Sequence, residues 1–425
     1  MKEIKLLIVH NKPPNIHDLM TEQAKNICDK LLEKCNLHII WAIFPTFEKK
    51  IFEKKGFDIH NANDYDNTLE LIKNINPDMI LINGSMDFHN IECSIVGKHL
   101  KIPIIVFFLR NLLSRTPISV TGVLKSRFRG LFFKNRLTTE KEKPLRLIPF
   151  YLRKYYHLYK TLRVINYSIS NSIINILQHV KNVLLVYSPI EPIIEGTINL
   201  CTTENWKVEL KRKFTKNSIK VIGDPYFDKV FDEISKIKMN DKRDYKKTRV
   251  LFATSTMYAH GLCSRESEYQ LIIDTCNQIL KDENIELTLK IHPSTSDFSE
   301  IENFVIKKLS RRINIFQKEN LLELIDSNHL MVTYGGSGAI RHSILLGMPV
   351  INLNFDTEVT GNNIFIDDKA IIQCKSLKKL LEIIEQNKFK KLNNNDIQNF
   401  IIKYLGKFDG QSSERAAIQI LKMIN

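Results

Sequence analysis

Short apolar, β-branched runs alternate with helical segments of roughly 10 to 15 residues twice along this chain, and few folds accommodate that alternation. The first series reads KLLIVH, LMTEQAKNICDKLLEKC, LHIIWAIF, YDNTLELIKNI, DMILING, IECSIVGKHLK and IPIIVFF. It breaks at Asn111, and from there to about Ile165 the sequence is basic and aromatic. Strand-like runs resume with NVLLVYS, TINLCTT and SIKVIGDP. A charged, turn-rich stretch, MNDKRDYKKTR from Met239 to Arg249, is the best linker candidate. A second series follows: VLFATST, ESEYQLIIDTCNQILKD, LTLKIHP, SEIENFVIKKL, INIFQ, NLLELIDS, HLMVTYGG and MPVINLNF.

Strands joined through helices form parallel sheets covered on both faces. The expectation is therefore an α/β protein of two Rossmann-like, doubly wound domains facing a cleft, with ligands at the carboxyl ends of the strands. The first domain is expected over residues 1–240 with the basic insert at about 111–165, and the second over 241–395. Residues 396–425 are expected to be helices packing back toward the first domain. A chain of 425 residues is too long for one ordinary core, which agrees with two domains.

Seven cysteines, at 28, 35, 93, 201, 263, 276 and 374, form no CxxC pair and no paired Cys/His spacing, which argues against a disulfide framework and a zinc site. The N-terminal MKEIKLLIVH has one short apolar run, unlike a signal peptide, and reads as a first strand. No stretch reaches the roughly 18 to 20 uninterrupted apolar residues of a membrane span. The expected setting is cytoplasmic, at most peripheral at the inner face of the cytoplasmic membrane.

Four features fall at predicted strand ends. VIGDPYFD (Val221 to Asp228) reads as a strand, a glycine turn and a helix opened by Pro225 that contains Asp228. ATSTMYAHG places Thr254, Ser255 and Thr256 directly after a strand, where their hydroxyls reach phosphates or cap a turn. In KIHPS, His292 and Pro293 begin the loop after LTLKI; a capping or backbone-satisfied histidine is the alternative to a ligand-binding one. Finally, VTYGGSGAIRHSILLG sets Gly335, Gly336, Ser337 and Gly338 between a strand and a helix. Backbone N–H groups at such a turn favour an anion, and a phosphate is the natural guest. The alternatives are glycines that merely allow close packing and a serine that only caps the helix.

The order of GDPYFD, a TST loop, KIHPS, and YGGSG followed by GMPVI resembles bacterial surface-polysaccharide glycosyltransferases of the GT-B fold. Among them are the capsule sialyl- and Kdo-type transferases with HP and serine motifs, and the related CDP-polyol phosphotransferases. TENWKVELKRKF ahead of KVIGDPYFD and FDGQSSERAA near the end add to the resemblance, which covers roughly Cys201 to Ala417. It implies that His292 contacts the nucleotide phosphate and that Ser337 holds it in a turn shaped by Gly335, Gly336 and Gly338. Glu358, in NFDTEVTGNN, stands where such enzymes often bind ribose hydroxyls; a solvated loop carboxylate is the alternative. Charge developing on a nucleotide leaving group is stabilised by fixed donors and by a protonated imidazole. No DxD motif appears at the expected strand end, so no metal and no cofactor are expected, the nucleotide-sugar being a substrate.

An inverting transferase needs a base near the acceptor hydroxyl. INGSMDFHN supplies Asp87, the choice here, with His89 beside it; the first strand ends at His10. The sialyltransferase base motif is not recognisable. Between Arg110 and Arg163 stand 14 Lys or Arg against Glu140 and Glu142 alone, although the whole chain carries a net charge of +15. In LKSRFRGLFFKNRL, Leu124, Phe128, Leu131 and Phe132 recur at helical spacing among Lys125, Arg127, Arg129, Lys134 and Arg136. PFYLRKYYHLYKTLR repeats the mixture. Such a surface suits an anionic membrane or a lipid-linked acceptor, the alternative being a solvated amphipathic helix. Nucleic acid is not expected, since no RNA-binding motif accompanies the aromatics.

The expected function is a metal-independent, inverting glycosyltransferase moving a sugar from a CMP- or UDP-activated donor to a surface-glycan acceptor. A CDP-polyol phosphotransferase is the runner-up. A UDP-N-acetylglucosamine 2-epimerase-like enzyme comes further behind, because the arginine-containing strand-end motif and HRRE loop of that family are replaced by VHNKPPN and STMYAHG. A non-catalytic membrane- or partner-binding protein is the remaining alternative.

Overall fold

The computed structural model describes residues 3–10, 19–44, 58–84, 88–108, 147–166, 194–212, 214–215, 218–237, 247–255, 265–293, 295, 298–335, 337–355, 365, 368–386 and 392–423, with isolated positions between 168 and 177. The chain divides into two compact units. Unit 1 comprises residues 1–112, 145–232 and 402–425, and unit 2 is built on residues 233–401.

The sheet of unit 1 contains β1 (Ile4–His10), β2 (Leu37–Ile43), β3 (Asp58–Asn61), β4 (Met79–Asn83), β5 (Ile104–Phe108), β6 (Ile198–Cys201) and β7 (Ile219–Val221). All pair in parallel, in the order β3-β2-β1-β4-β5-β6-β7. Successive side chains of a strand point to opposite faces, and β1 obeys this directly. Leu7 and Val9 join one apolar layer with α2 (Thr68–Ile75), α3 (Phe88–His99), α4 (Leu147–Val164) and α5 (Glu204–Lys211). Leu6 and Ile8 join the other, which holds Ile27 and Leu31 of α1 (Leu19–Leu32) and Ala416, Ala417 and Ile420 of a C-terminal helix (Ser412–Leu421). A strand covered on both faces has no polar side, which is why its sequence is a continuous apolar run. Local signals set the helix ends: the Asn67 side chain accepts from Glu70 N at 3.0 Å to start α2, and Asn76 at φ 49° stops it.

Two of the family-like motifs meet here. The Asp228 carboxylate, in α6 (Phe227–Lys236), accepts from the backbone N–H groups of Ser412 and Ser413 at 2.9 and 2.6 Å. Arg415 donates to the Ile222 carbonyl at 2.8 Å and to both oxygens of Asp409. Buried Asp224 accepts from Gln23 Nε2 at 2.7 Å, and Asn26 donates to the Pro225 carbonyl at 2.9 Å. Gly223, at φ +87°, lies where an added Cβ would stand 2.5 Å from Ser412 Oγ, and at Gly406, φ +78°, a Cβ would strike the Thr202 carbonyl. GDPYFD and FDGQSSERAA thus form one clasp that fastens the C-terminal helix to the sheet. Pro225 precedes α6 by two residues instead of opening it.

Unit 2 has β8 (Thr248–Ala253), β9 (Ile285–Lys290), β10 (Asn314–Phe316), β11 (Leu330–Tyr334), β12 (Val350–Leu353) and β13 (Ile371–Cys374), parallel in the order β10-β9-β8-β11-β12-β13. Its helices are α7 (Arg265–Ile279), α8 (Phe298–Ile306), α9 (Leu321–Asp326), α10 (Ala339–Leu345), α11 (Leu377–Glu385) and α12 (Asn394–Tyr404), the last of which runs into unit 1; the C-terminal helix of unit 1 is α13. β8 begins at Thr248, so the last two residues of the expected linker are strand. β3 and β13 are strands that the sequence patterns did not reveal. NVLLVYS and most of the 111–165 insert lie outside the described residues, which take up that insert again at α4. No described helix is long and apolar enough to cross a membrane.

Candidate functional site

In each sheet the strand order reverses once. β1 and β4 stand side by side in unit 1, and β8 and β11 in unit 2, with later strands laid outward from each. The carboxyl ends beside such a reversal open the crevice that open α/β sheets use for ligands.

In unit 2 the predicted residues gather at that edge. Thr254 and Ser255 follow β8, His292 and Pro293 follow β9 on one side, and Gly335, Ser337 and Gly338 follow β11 on the other. Thr333 of β11 donates its hydroxyl to the Ala253 carbonyl at 2.7 Å, so the two strand tips are tied. The His292 backbone N–H donates to Thr254 Oγ1 at 3.0 Å, and Thr254 N to the Lys290 carbonyl at 2.9 Å. Thr254 is therefore buried and engaged in holding the HP loop, while Ser255 and His292 are half-buried and Pro293 is exposed.

Several residues that the sequence reasoning passed over brace these loops. Lys290, buried at the end of β9, donates to the Gln317 carbonyl; burial lowers its ammonium below the ordinary value, and Glu319 offsets part of that. Gln317 Nε2 in turn donates to the Thr295 carbonyl at 2.7 Å, and Thr295 N closes the turn onto the His292 carbonyl at 3.0 Å. The Tyr334 hydroxyl donates to Glu268 Oε1 at 2.8 Å, both residues buried, and so locks the tip of β11 to the first turn of α7. A lone lysine ending an apolar strand was the one legible sign of this bracing.

The glycine turn divides into two kinds of position. Gly335, at φ +66°, occupies the left-handed region that side chains avoid. Gly338 has φ −59°, and a Cβ placed on it would meet nothing within 4 Å among the described residues. Neither backbone nor packing demands glycine there. Buried Ser337 accepts from Ala339 N through Oγ at 3.3 Å, so it does cap the turn; its own O–H is left to donate. His342 Nδ1 lies 3.2 Å from the Gly338 carbonyl, which only accepts, so the proton is on Nδ1. Desolvation, with Arg341 nearby, pushes His342 down to about 4 and outweighs the Gly338 bond that favours the charged form.

Among the described residues, the corresponding edge of unit 1 carries rings and the Glu92 carboxylate. Phe44, after β2, stacks on His89 with centroids 5.0 Å apart and meets His157 of α4 edge-on at 6.4 Å. Buried Glu92 of α3 accepts from Thr68 Oγ1 at 2.5 Å and from His157 Nδ1 at 2.8 Å. Burial alone would lower the His157 imidazole, but Glu92 holds it above its ordinary value. Asp87, Thr256, Gly336 and Glu358 lie outside the described residues, as do Lys125, Arg127, Phe128, Arg129, Phe132, Lys134 and Arg136. Among the described residues, no group of three or more His, Cys, Asp or Glu is placed to hold a metal ion.

No protein-family model matches the chain, and no curated protein matches it. Solved structures do, over its whole length. The glycotransferase of kitacinnamycin aligns with 99% of this chain and 98% of its own at a TM-score of 0.52 and 11% identity. Acinetobacter baumannii MurG aligns with 99% and 100% at 0.51 and 9%. Methanocaldococcus jannaschii UDP-GlcNAc 2-epimerase, solved in complex with UDP-GlcNAc and UDP, aligns with 99% and 100% at 0.51 and 16%. At such identities the likeness is one of fold: two Rossmann-like parallel-sheet units, as in GT-B glycosyltransferases and UDP-GlcNAc 2-epimerases. None of the three is a capsule sialyl- or Kdo-type transferase, and that finer resemblance rests on the motifs.

Proposed function

We propose that this chain is a GT-B glycosyltransferase that takes a sugar from a nucleotide-activated donor and passes it to a surface-glycan acceptor. The observation that carries the proposal is the gathering of Ser255, His292, Ser337 and Gly338 on three neighbouring strand ends at the β8/β11 reversal. The exposed, unobstructed backbone of Gly338 supports it, because a phosphate oxygen can approach where a Cβ would meet no described residue.

In this proposal the bond from the sugar's anomeric carbon to the nucleotide phosphate breaks, and the electron pair leaves with the phosphate. Donors at the site, the Ser337 hydroxyl and the His292 imidazole among them, stabilise that charge without a metal ion. The acceptor hydroxyl attacks from the opposite face and gives its proton to a base, for which Asp87 is proposed. Glu358 is proposed to accept from the donor's ribose.

Thermal melting of the full chain with CMP, CDP, UMP, UDP, GDP and ADP tests the donor site, because a ligand held by the folded state raises the melting temperature. A selective shift that His292→Ala and Ser337→Ala both abolish is expected. No shift with any nucleotide at millimolar concentration would sink the proposal. CMP selectivity points to a sialic- or Kdo-type donor, and product mass separates a transferred sugar from a polyol phosphate.

The epimerase fold likeness favours a second reading, in which a UDP-sugar is the whole substrate. Incubation with UDP-GlcNAc and no acceptor decides it: inversion at C2 establishes that reading, and recovery of unchanged UDP-GlcNAc removes it.

A further inference from the structure

The helix α4 turns two unlike faces outward and inward. Leu158, Thr161 and Leu162 are fully buried against unit 1. On the opposite side, at positions that a 3.6-residue repeat brings into one stripe, Leu152 and Tyr156 stand 61% and 60% exposed beside exposed Arg163. Arg153 and Val164 flank the stripe, and Lys160 lies over the Tyr156 ring at 5.1 Å. Exposed leucines and tyrosines cost solvation, and a single one needs no explanation. Here they lie along a helix that contains four Lys or Arg and no Asp or Glu. Among the described residues, the acidic group paired with this face is Asp66, which meets Lys160 at 3.7 Å on one edge.

The buried side of α4 fixes where this face stands. His157 reaches Glu92 of α3 at 2.8 Å and meets Phe44, the residue after β2, which stacks on His89 in the first turn of α3. Thr161 Oγ1 accepts from Thr68 N at 3.2 Å. These contacts hold α4 at the carboxyl edge of unit 1's sheet, the edge where β1 and β4 reverse the strand order.

We propose that the exposed face of α4 docks on an anionic lipid bilayer, with Leu152 and Tyr156 entering the headgroup region and Arg153, Lys160 and Arg163 meeting lipid phosphates. Apolar burial and attraction of cations add in such contacts, and neither alone makes a stable one. The docking rests on α4 alone. That it brings the carboxyl edge of unit 1 to a lipid-carried acceptor rests in addition on the transferase reading.

The test is co-sedimentation of the full chain with vesicles of phosphatidylcholine alone and of phosphatidylcholine with phosphatidylglycerol. The wild type is expected to pellet with the second and stay in solution with the first. Leu152→Ser with Tyr156→Ser, and separately Arg153→Glu with Arg163→Glu, are each expected to lower partitioning by about tenfold or more. Both pairs should keep the wild-type melting temperature, since the side chains are exposed. A wild type that ignores anionic vesicles overturns the proposal, and so does a Leu152/Tyr156 variant that pellets as well as the wild type. If single-stranded RNA binds wild type and that variant equally while vesicles bind neither, the surface is a general polyanion binder and the proposal fails. Nucleotide-induced melting shifts on the same preparations report on unit 2, so failure of docking and failure of the transferase reading are told apart.

Discussion

The clasp of unit 1 and the loop cluster of unit 2 are both built from motifs that look like transferase signatures, yet they use their polar groups in opposite ways. In the clasp, Asp224, Asp228 and Arg415 are engaged by Gln23, by two helix-start N–H groups, and by a carbonyl and Asp409. They hold a helix to a sheet. In unit 2, Thr254 and the Lys290–Gln317 pair brace the loops, while Ser337 keeps a proton to donate and Gly338 is exposed. In the clasp the polar groups are engaged by their neighbours, whereas in the loop cluster a donor and an exposed glycine are left over, and a ligand there is the proposal made above.

Removing the Asp228 carboxylate gives the largest expected effect that separates the two regions. Asp228→Ala leaves two N–H groups of α13 without their acceptor and should cost about 2 kcal/mol in chemical denaturation. The nucleotide-induced melting shift should persist. Loss of that shift at unchanged stability would place Asp228 in the donor site and erase the distinction.

Acid should separate the units next, by opposite signs. His157 is raised by Glu92, so its contribution is complete below the unfolded value of 6.5 and fades as pH rises through its folded value. His342 is lowered to about 4, so its contribution is complete above 6.5 and is lost as pH falls from 6.5 toward 4. The slope for one proton is at most about 1.4 kcal/mol per pH unit, and partial exposure of His342 reduces it. Hydrogen exchange corrected for intrinsic rates, followed on α3–α4 and on β11–α10 at pH 7 and 5, should show the second pair weakening in acid. Parallel weakening of both would refute the assignment.

Within the glycine turn the contrast is smaller. Gly335→Ala should cost about 1 kcal/mol, because alanine resists the left-handed region. Gly338→Ala should change stability by less than about 0.5 kcal/mol, as surface substitutions usually do. It should nevertheless weaken nucleotide binding. Full nucleotide affinity in Gly338→Ala would show that the exposed backbone of Gly338 is not where the phosphate sits.

Most strands were legible because burial on both faces writes itself as an uninterrupted apolar run; β1, β4, β5, β8 and β11 are of that kind. β3, DIHN, was not, since a four-residue edge strand with three half-buried positions and polar side chains lacks that signature. The strand-end placement of His292, Gly335, Ser337 and Gly338 was legible because strand ends are punctuated by turn residues. Lys290, Glu268 and Tyr334 were missed because each is an ordinary member of its strand or helix until its partner is known.

The sequence by itself determined the class of fold, since periodicity and punctuation are local and survive without coordinates. Tertiary structure alone decided which motifs clasp and which stand open. Hydrogen-bond partners 66 to 201 residues apart, such as Tyr334 with Glu268 and Gln23 with Asp224, follow from strand order, which no local pattern encodes.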